Sequence, residues 1–335
     1  TSSAFISDPE GSATSSATIY NLQSAIYYWR VRAKDNALNF TPYTSHFTLC
    51  IDTSPPKIIN NQTGDNQWRN NPGTTYNVDF EDKLSKLHTV QYTIYDNPEQ
   101  SGSPIKVWTN IASDINAVSY ETDWTVDFAS LPENTTCWVS VRAWDNLLQY
   151  ATSWNVFYAL KDVTKPTLTD SQAGDTTWRK ANNGLYDVRF GDDGGSKLNK
   201  FQVKAGTLPY GDSPLIFDWS DSETLISGVT CYNTPWPLNT GHWSLLPEGK
   251  SYISVRVMDN SWSASLGYNT DSLSDVFYVL KDTTPPVIEN YQSGDTIWRN
   301  SNYATYNVDF KDASSGSGVQ RFEVTASTVT LSDSE

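Results

Sequence analysis

Alternation of apolar and polar side chains is the dominant pattern along this chain. In "TYNVDF" (75–80), "LYDVRF" (185–190) and "TYNVDF" (305–310), Tyr, Val and Phe take every second position, with Asn, Asp or Arg between them. Period two marks a strand with one buried face. "KFQVKA" (200–205) and "RFEVTA" (321–326) alternate likewise. In "CWVSVRA" (137–143) the same rule turns Val139, Val141 and Ala143 inward, and Trp138, Ser140 and Arg142 outward. Turn residues separate these runs, and no segment carries a helical period. Short strands at this spacing predict antiparallel β-sandwiches.

The pattern is written three times. "TGDNQWRN" (63–70), "AGDTTWRK" (173–180) and "SGDTIWRN" (293–300) recur 110 and 120 residues apart. "IDTSPP" (51–56), "KDVTKP" (161–166) and "KDTTPP" (281–286) keep that spacing, and "VRAKDN" (31–36), "VRAWDN" (141–146) and "VRVMDN" (255–260) follow the same order. In the first phrase Gly-Asp supplies a turn. Its Trp is expected to close the core, and its Arg to cover that ring or pair with a carboxylate. Proline after Asp-Thr makes a short, stiff linker.

These markers divide the chain into the second half of a sandwich (1–53), two complete sandwiches (54–163 and 164–283) and the first half of another (284–335). A half-sandwich leaves sheet edges and a core face open. Both halves are therefore expected to be completed, by a longer polypeptide or by a neighbouring copy.

"NLQSAIYYWRVRAKDN" (21–36) and "LPEGKSYISVRVMDN" (246–260) resemble the fibronectin type III pattern, in which a Leu, a turn and a Tyr lead into a Val-x-Val strand. Followed by "DTTPP", they also resemble the immunoglobulin-like repeats of large bacterial surface proteins and adhesins. The resemblance runs the length of the chain. It implies tandem all-β sandwiches in a rod, an extracellular or cell-surface setting and a structural, non-enzymatic role. The middle repeat departs from the pattern, with Cys137-Trp138 where its neighbours have Tyr27-Tyr28 and Ser251-Tyr252.

Charge narrows the partners. The chain has 335 residues, with 38 Asp and Glu against 23 Lys and Arg, a net charge of −15. Such a surface repels nucleic acid and anionic membrane. No apolar run approaches the ~18 residues of a membrane span, and "TSSAFISDPEG" (1–11) has no leader pattern. Cys50, Cys137 and Cys231 occupy unrelated places and read as single buried residues, not a disulfide or zinc framework. His46, His88 and His242 hold no equivalent positions, and no nucleophile or phosphate-loop motif accompanies them.

Two candidate sites remain. At the pole where a linker enters a sandwich, Asp52 is expected to meet Asp82 and Asp145, Asp162 to meet Asp192, Asp193 and Asp259, and Asp282 to meet Asp312. Clustered carboxylates suit Ca²⁺, a hard cation taking 6–8 oxygens, which would stiffen the joint. The plainer reading is that these aspartates cap turn amides. A glycan site is the second candidate. Trp236 and Trp243 sit in "CYNTPWPLNTGHW" (231–243), a loop found in one repeat only, and exposed rings stack on sugars; the plainer reading is core packing. Expected partners are neighbouring repeats of the same or an identical chain and, for an adhesin, a glycan or a host or cell-surface protein. Arg32, Arg142 and Arg256 recur on the outer face of one strand, placed for a cross-strand ion pair or an aromatic cover.

Overall fold

Burial follows the alternation: Tyr76, Val78 and Phe80 are closed to solvent, as are Tyr186, Val188 and Phe190. The computed structural model describes residues 19–331 apart from 63, 173 and 210–213, so the opening stretch of the half-repeat placed at 1–53 lies outside the described residues. The chain divides into two units, Thr1–Gln67 with Pro72–Leu160, and Trp68–Asn71 with Lys161–Glu335.

In the first unit, β1 (Ala25–Trp29) pairs antiparallel with β2 (Phe47–Ile51). The Tyr27 hydroxyl donates to the Gln23 carbonyl at 2.9 Å, the bond of a tyrosine corner. A sandwich follows from β3 (Lys57–Asn60) to β5 (Val78–Glu81), β6 (Leu87–Tyr95), β7 (Lys106–Ala112), β8 (Ser119–Tyr120), β9 (Thr136–Asp145) and β10 (Tyr150–Lys161); the dipeptide strand β4 (Trp68–Arg69), between β3 and β5 in the chain, falls in the second unit. One sheet is ordered β3-β5-β8 and the larger runs β10-β9-β6-β7, every one of these pairs antiparallel.

The second unit repeats the plan with β11 (Thr167–Asp170), β12 (Trp178–Arg179), β13 (Val188–Gly191), β14 (Leu198–Gly206), β15 (Leu215–Asp221), β16 (Cys231–Tyr232), β17 (Gly249–Ser263) and β18 (Gly267–Lys281). Its sheets are β11-β13-β16 and β12-β18-β17-β14-β15. A final antiparallel pair, β19 (Val287–Asn290) and β20 (Val308–Lys311), follows. This is the antiparallel sandwich architecture that the strand pattern implies, in the tandem immunoglobulin-like and fibronectin type III-like form that the resemblance implies.

Each core centres on three rings contributed by both sheets. Tyr76 stacks on Phe157 at 4.1 Å and Tyr186 on Phe277 at 4.0 Å. Trp124 and Trp236 complete the clusters, their indole N–H groups donating to the carbonyls of Val78 and Val188. A buried indole thus contributes area without leaving its donor unpaired.

The Gly-Asp…Trp-Arg phrase makes the turn and the arginine–carboxylate pair expected of it, but its Trp does a different job. Gly64, Gly174 and Gly294 do supply the turn, at φ between 87° and 92°. The Trp does not close the core: Trp178 lies in β12, parallel to β18 at the sheet edge, and Trp298 is 99% exposed. An edge dipeptide leaves its indole outside the two facing sheets. In the first two copies the buried member is the aspartate. Asp175 accepts from Arg179 at 2.7 Å and from the Tyr186 hydroxyl at 3.4 Å, and Asp295 accepts from Arg299 and Tyr306 in the same way. Burial and the Asp175 charge lift the Tyr186 phenol well above its ordinary pKa.

Three smaller expectations change as well. Cys137 is buried, whereas Cys50 and Cys231 are exposed. Ser140 is buried rather than outward, because the irregularity in β10 folds over it and the Asn155 N–H donates to its hydroxyl at 3.0 Å. A six-residue helix, α1 (Thr240–Leu245), interrupts the strands where Asn239 caps it by accepting from the His242 N–H.

Trp236→Ala should lower the stability of the second sandwich by about 3–5 kcal/mol, and Trp298→Ala by no more than about 0.5 kcal/mol. Denaturant unfolding of the two variants checks this; equal losses would contradict the assignment of the core indole.

Candidate metal centres at the linker aspartates

Each linker aspartate leaves its strand and turns into the backbone of a loop. Its Oδ1 accepts the N–H two residues on, from Ser54 (3.0 Å), Thr164 (3.1 Å) or Thr284 (3.2 Å). Its Oδ2 accepts the N–H of a loop serine, Ser85 at 3.0 Å, Ser196 at 3.0 Å or Ser317 at 2.8 Å. The pattern is the same in all three joints. Those serines follow the half-buried Tyr-Val-Phe strand, in "EDKLSK", "GDDGGSK" and "KDASSGS". They are the residues that sequence reasoning missed, although their recurrence was visible.

The serine bonds draw the carboxylates together. Asp52, Asp82 and Asp145 form one group and Asp162, Asp192 and Asp259 another, with an oxygen of each within 4.8 Å of the others. Ca²⁺–oxygen distances of about 2.3–2.6 Å let one ion touch three oxygens at such separations. The Asp-Asn phrase divides its labour. Asp145 and Asp259 enter the groups, while the amides of Asn146 and Asn260 donate to the carbonyls of Ser85 and Ser196. A second amide locks each joint: Gln149 bridges the Asp52 carbonyl and Asp145, and Asn269 bridges the Asp162 carbonyl and Asp259.

Asp193 lies outside its group. Asp192 turns in, where the Lys197 N–H donates to it at 2.7 Å, and Asp193 is exposed. Asp282 and Asp312 do converge, both embracing the turn at Gly316, but among the described residues no third carboxylate joins them.

Burial and mutual repulsion act on the second group. Burial, aided by the Asp162 and Asp192 charges, pushes the Asp259 carboxyl up to about 7 against the N–H of Ser261 and the amide of Asn269. Burial also raises Asp192. At Asp52 burial works upward too, but the N–H groups of Ser54 and Ser85 outweigh it and hold the carboxyl low. The second group fits a cation on two further counts. A Cβ at Gly194 would lie 1.9 Å from Asp162 Oδ1, so only glycine leaves that space clear, and the buried Ser196 hydroxyl finds no partner within the protein.

Trp236 and Trp243 do not present the exposed rings that the glycan reading requires. Trp236 is 1% exposed in the core, and α1 turns Trp243 and His242 inward as well. His242 stacks on Phe217 at 4.8 Å, and burial lowers its pKa. The capped helix is what folds this loop into the sandwich.

An unfolded aspartate ionises near pH 3.9, so Asp259 makes the native state bind an extra proton between about pH 4 and 7. In chelator, that group's contribution to stability should fall as pH rises through the window. Asp259→Asn should remove this fall, and denaturant unfolding of both proteins at pH 4.5 and pH 8 measures the difference.

No protein-family model matches the chain, and no curated protein does. Among solved structures it is similar to a tetra-tandem repeat in the extending region of a large adhesion protein, at 15% identity and TM-score 0.30, covering 78% of this chain and 58% of that one. It is also similar to fibronectin(III)-like modules of Clostridium thermocellum CbhA, at 15% identity and TM-score 0.25, covering 68% and 94%. A Ca²⁺-stabilised adhesin that helps an Antarctic bacterium bind ice matches at 14% identity and TM-score 0.27, covering 78% and 59%. The assignment of fold rests on the sheets themselves, and no residue's role is carried over from these proteins.

Proposed function

We propose that this chain is a structural, non-enzymatic segment of an extracellular or cell-surface rod or filament whose linkers are fixed by calcium. The observation that carries the reading is the linker aspartate bonded to a loop serine and gathered with two further carboxylates, once at Asp52 and again at Asp162. In the proposed division, 54–163 and 164–283 are complete sandwiches, and the halves at 1–53 and 284–335 are completed by a longer polypeptide or by a neighbouring copy.

Asp52, Asp82 and Asp145 would hold one ion, and Asp162, Asp192 and Asp259 another. Bound there, Ca²⁺ supplies positive charge that offsets the repulsion of three carboxylates and ties a linker to two loops of the sandwich it enters. The protein's own groups prepare the position. The loop serines orient the linker carboxylates, Asn146 and Asn260 hold the serine carbonyls, and Gln149 and Asn269 restrain the third aspartate. Work of this kind is mechanical: it sets the stiffness and spacing of repeats.

Thermal unfolding of the chain in Ca²⁺ and in chelator tests the reading. Calcium at 100 times its dissociation constant should stabilise the folded state by about 2.7 kcal/mol per site. Asp162→Asn should abolish the response of the second sandwich alone. Identical unfolding midpoints in calcium and chelator would overturn the calcium joint.

A further inference from the structure

The outer face of the first sandwich's larger sheet carries an arrangement that the second lacks. Trp154, Trp108, Arg142, Trp144 and Tyr150 follow one another across β10, β7 and β9 as a continuous ladder. The Trp154 and Trp108 rings are 5.9 Å apart. The Arg142 guanidinium lies 4.3 Å from the centre of the Trp108 ring and 5.5 Å from that of Trp144. Trp144 and Tyr150 then meet at 4.6 Å. The two ends are open, Trp154 being 52% and Tyr150 56% exposed.

The second sandwich shows which parts of this belong to the framework. Gln202 faces Arg256 across the strands just as Gln91 faces Arg142, and in both pairs the Arg Nε donates to the Gln carbonyl oxygen at 2.6 Å. Arg256 lies 4.6 Å from the centre of the Trp219 ring. There the likeness stops. Gln202 donates onward to Asp221, whose charge and that of Asp218 act on Arg256. At the matching place Gln91 donates to Asn110, a neutral amide. Among the described residues no carboxylate pairs with Arg142; the groups acting on its charge are burial and the Tyr150 phenol. Trp144, Tyr150 and Trp154 stand where the second sandwich has Met258, Thr270 and Ser274. The same fold therefore forms with three fewer aromatic rings and with the counter-charge present.

An arginine held between rings, with no carboxylate paired to it among the described residues, suits an anion that brings apolar faces of its own. A sugar ring lays its C–H face on an indole, and a uronic acid adds a carboxylate that guanidinium binds through charge-assisted, bidentate hydrogen bonds. The net charge of −15 opposes this only weakly, since screening at physiological ionic strength limits the reach of such fields to about 8 Å. We propose that this face binds a carboxylate-bearing polysaccharide, with Arg142 holding the uronate group and Trp154, Trp108, Trp144 and Tyr150 stacking on sugar rings. The site is separate from the linker aspartates and stands or falls without them.

Calorimetric titration of the whole chain with oligogalacturonate, in chelator so that calcium bridges nothing, tests the proposal. A neutral glucan oligosaccharide and dextran sulfate serve as comparison ligands. Asn110→Asp restores the counter-charge found in the second sandwich at an exposed position; it should weaken uronate binding about tenfold or more, the worth of one hydrogen bond to a charged group. Trp154→Ala should weaken it as well, with the circular dichroism of both variants unchanged. The proposal is overturned if oligogalacturonate does not bind at millimolar concentration, if Asn110→Asp binds as tightly as the parent chain, or if either comparison ligand binds equally well.

Discussion

The hydrogen bond from a loop serine N–H to a linker carboxylate is the constraint on which these joints depend. It recurs at Asp52, Asp162 and Asp282, in each case to Oδ2. A backbone N–H donating to a charged oxygen is stronger than a neutral bond. It fixes where the chain leaving one repeat touches the next loop, and in doing so it brings negative charges together. The cost appears at Asp259, whose carboxyl is pushed up to about 7 by burial and by its neighbours. A joint built on carboxylates is thereby left short of positive charge.

Inside each sandwich the corresponding constraint is the aromatic triad with its satisfied donors. Tyr76, Phe157 and Trp124 in one repeat, and Tyr186, Phe277 and Trp236 in the other, join the two sheets. The tyrosine hydroxyl leaves the core to meet the aspartate of the Gly-Asp turn. That aspartate in turn holds the arginine of β12 in the second repeat. Buried ion pairs of this kind add little net stability but specify one arrangement. Here the arrangement places the Trp-Arg strand beside the last strand, where its carbonyl at Arg179 accepts the N–H of Asp282. Core, turn and linker are consecutive links of one chain of bonds.

Duplication within the chain provides its own control for surface chemistry. Features present in both sandwiches, such as the Arg–Gln bond and the Trp108 or Trp219 cover, belong to the fold. Features present in one, such as Trp144, Trp154 and the neutral Asn110, are free to serve something else. The same logic explains Trp236 and Trp243, which stood out because their loop is not repeated. Trp236 nonetheless occupies the core place that Trp124 fills in the first sandwich, since both bridge to the tyrosine of the facing strand.

By itself the sequence determined the strands, their inward faces and the repeat, because a two-residue period and recurring turn phrases are local properties of the chain. Of the nine aspartates it named at the linkers, eight converge, since entry pole and loop order follow from sandwich topology. Tertiary structure decided the rest. Which Trp is buried depended on edge strands and on a capped helix, and neither leaves a period. Asp193 was separated from Asp192 by the course of the loop after β13, which its sequence does not reveal. The ladder on the outer face joins residues from three strands, so only the pairing register could bring Trp154, Trp108 and Arg142 into one line.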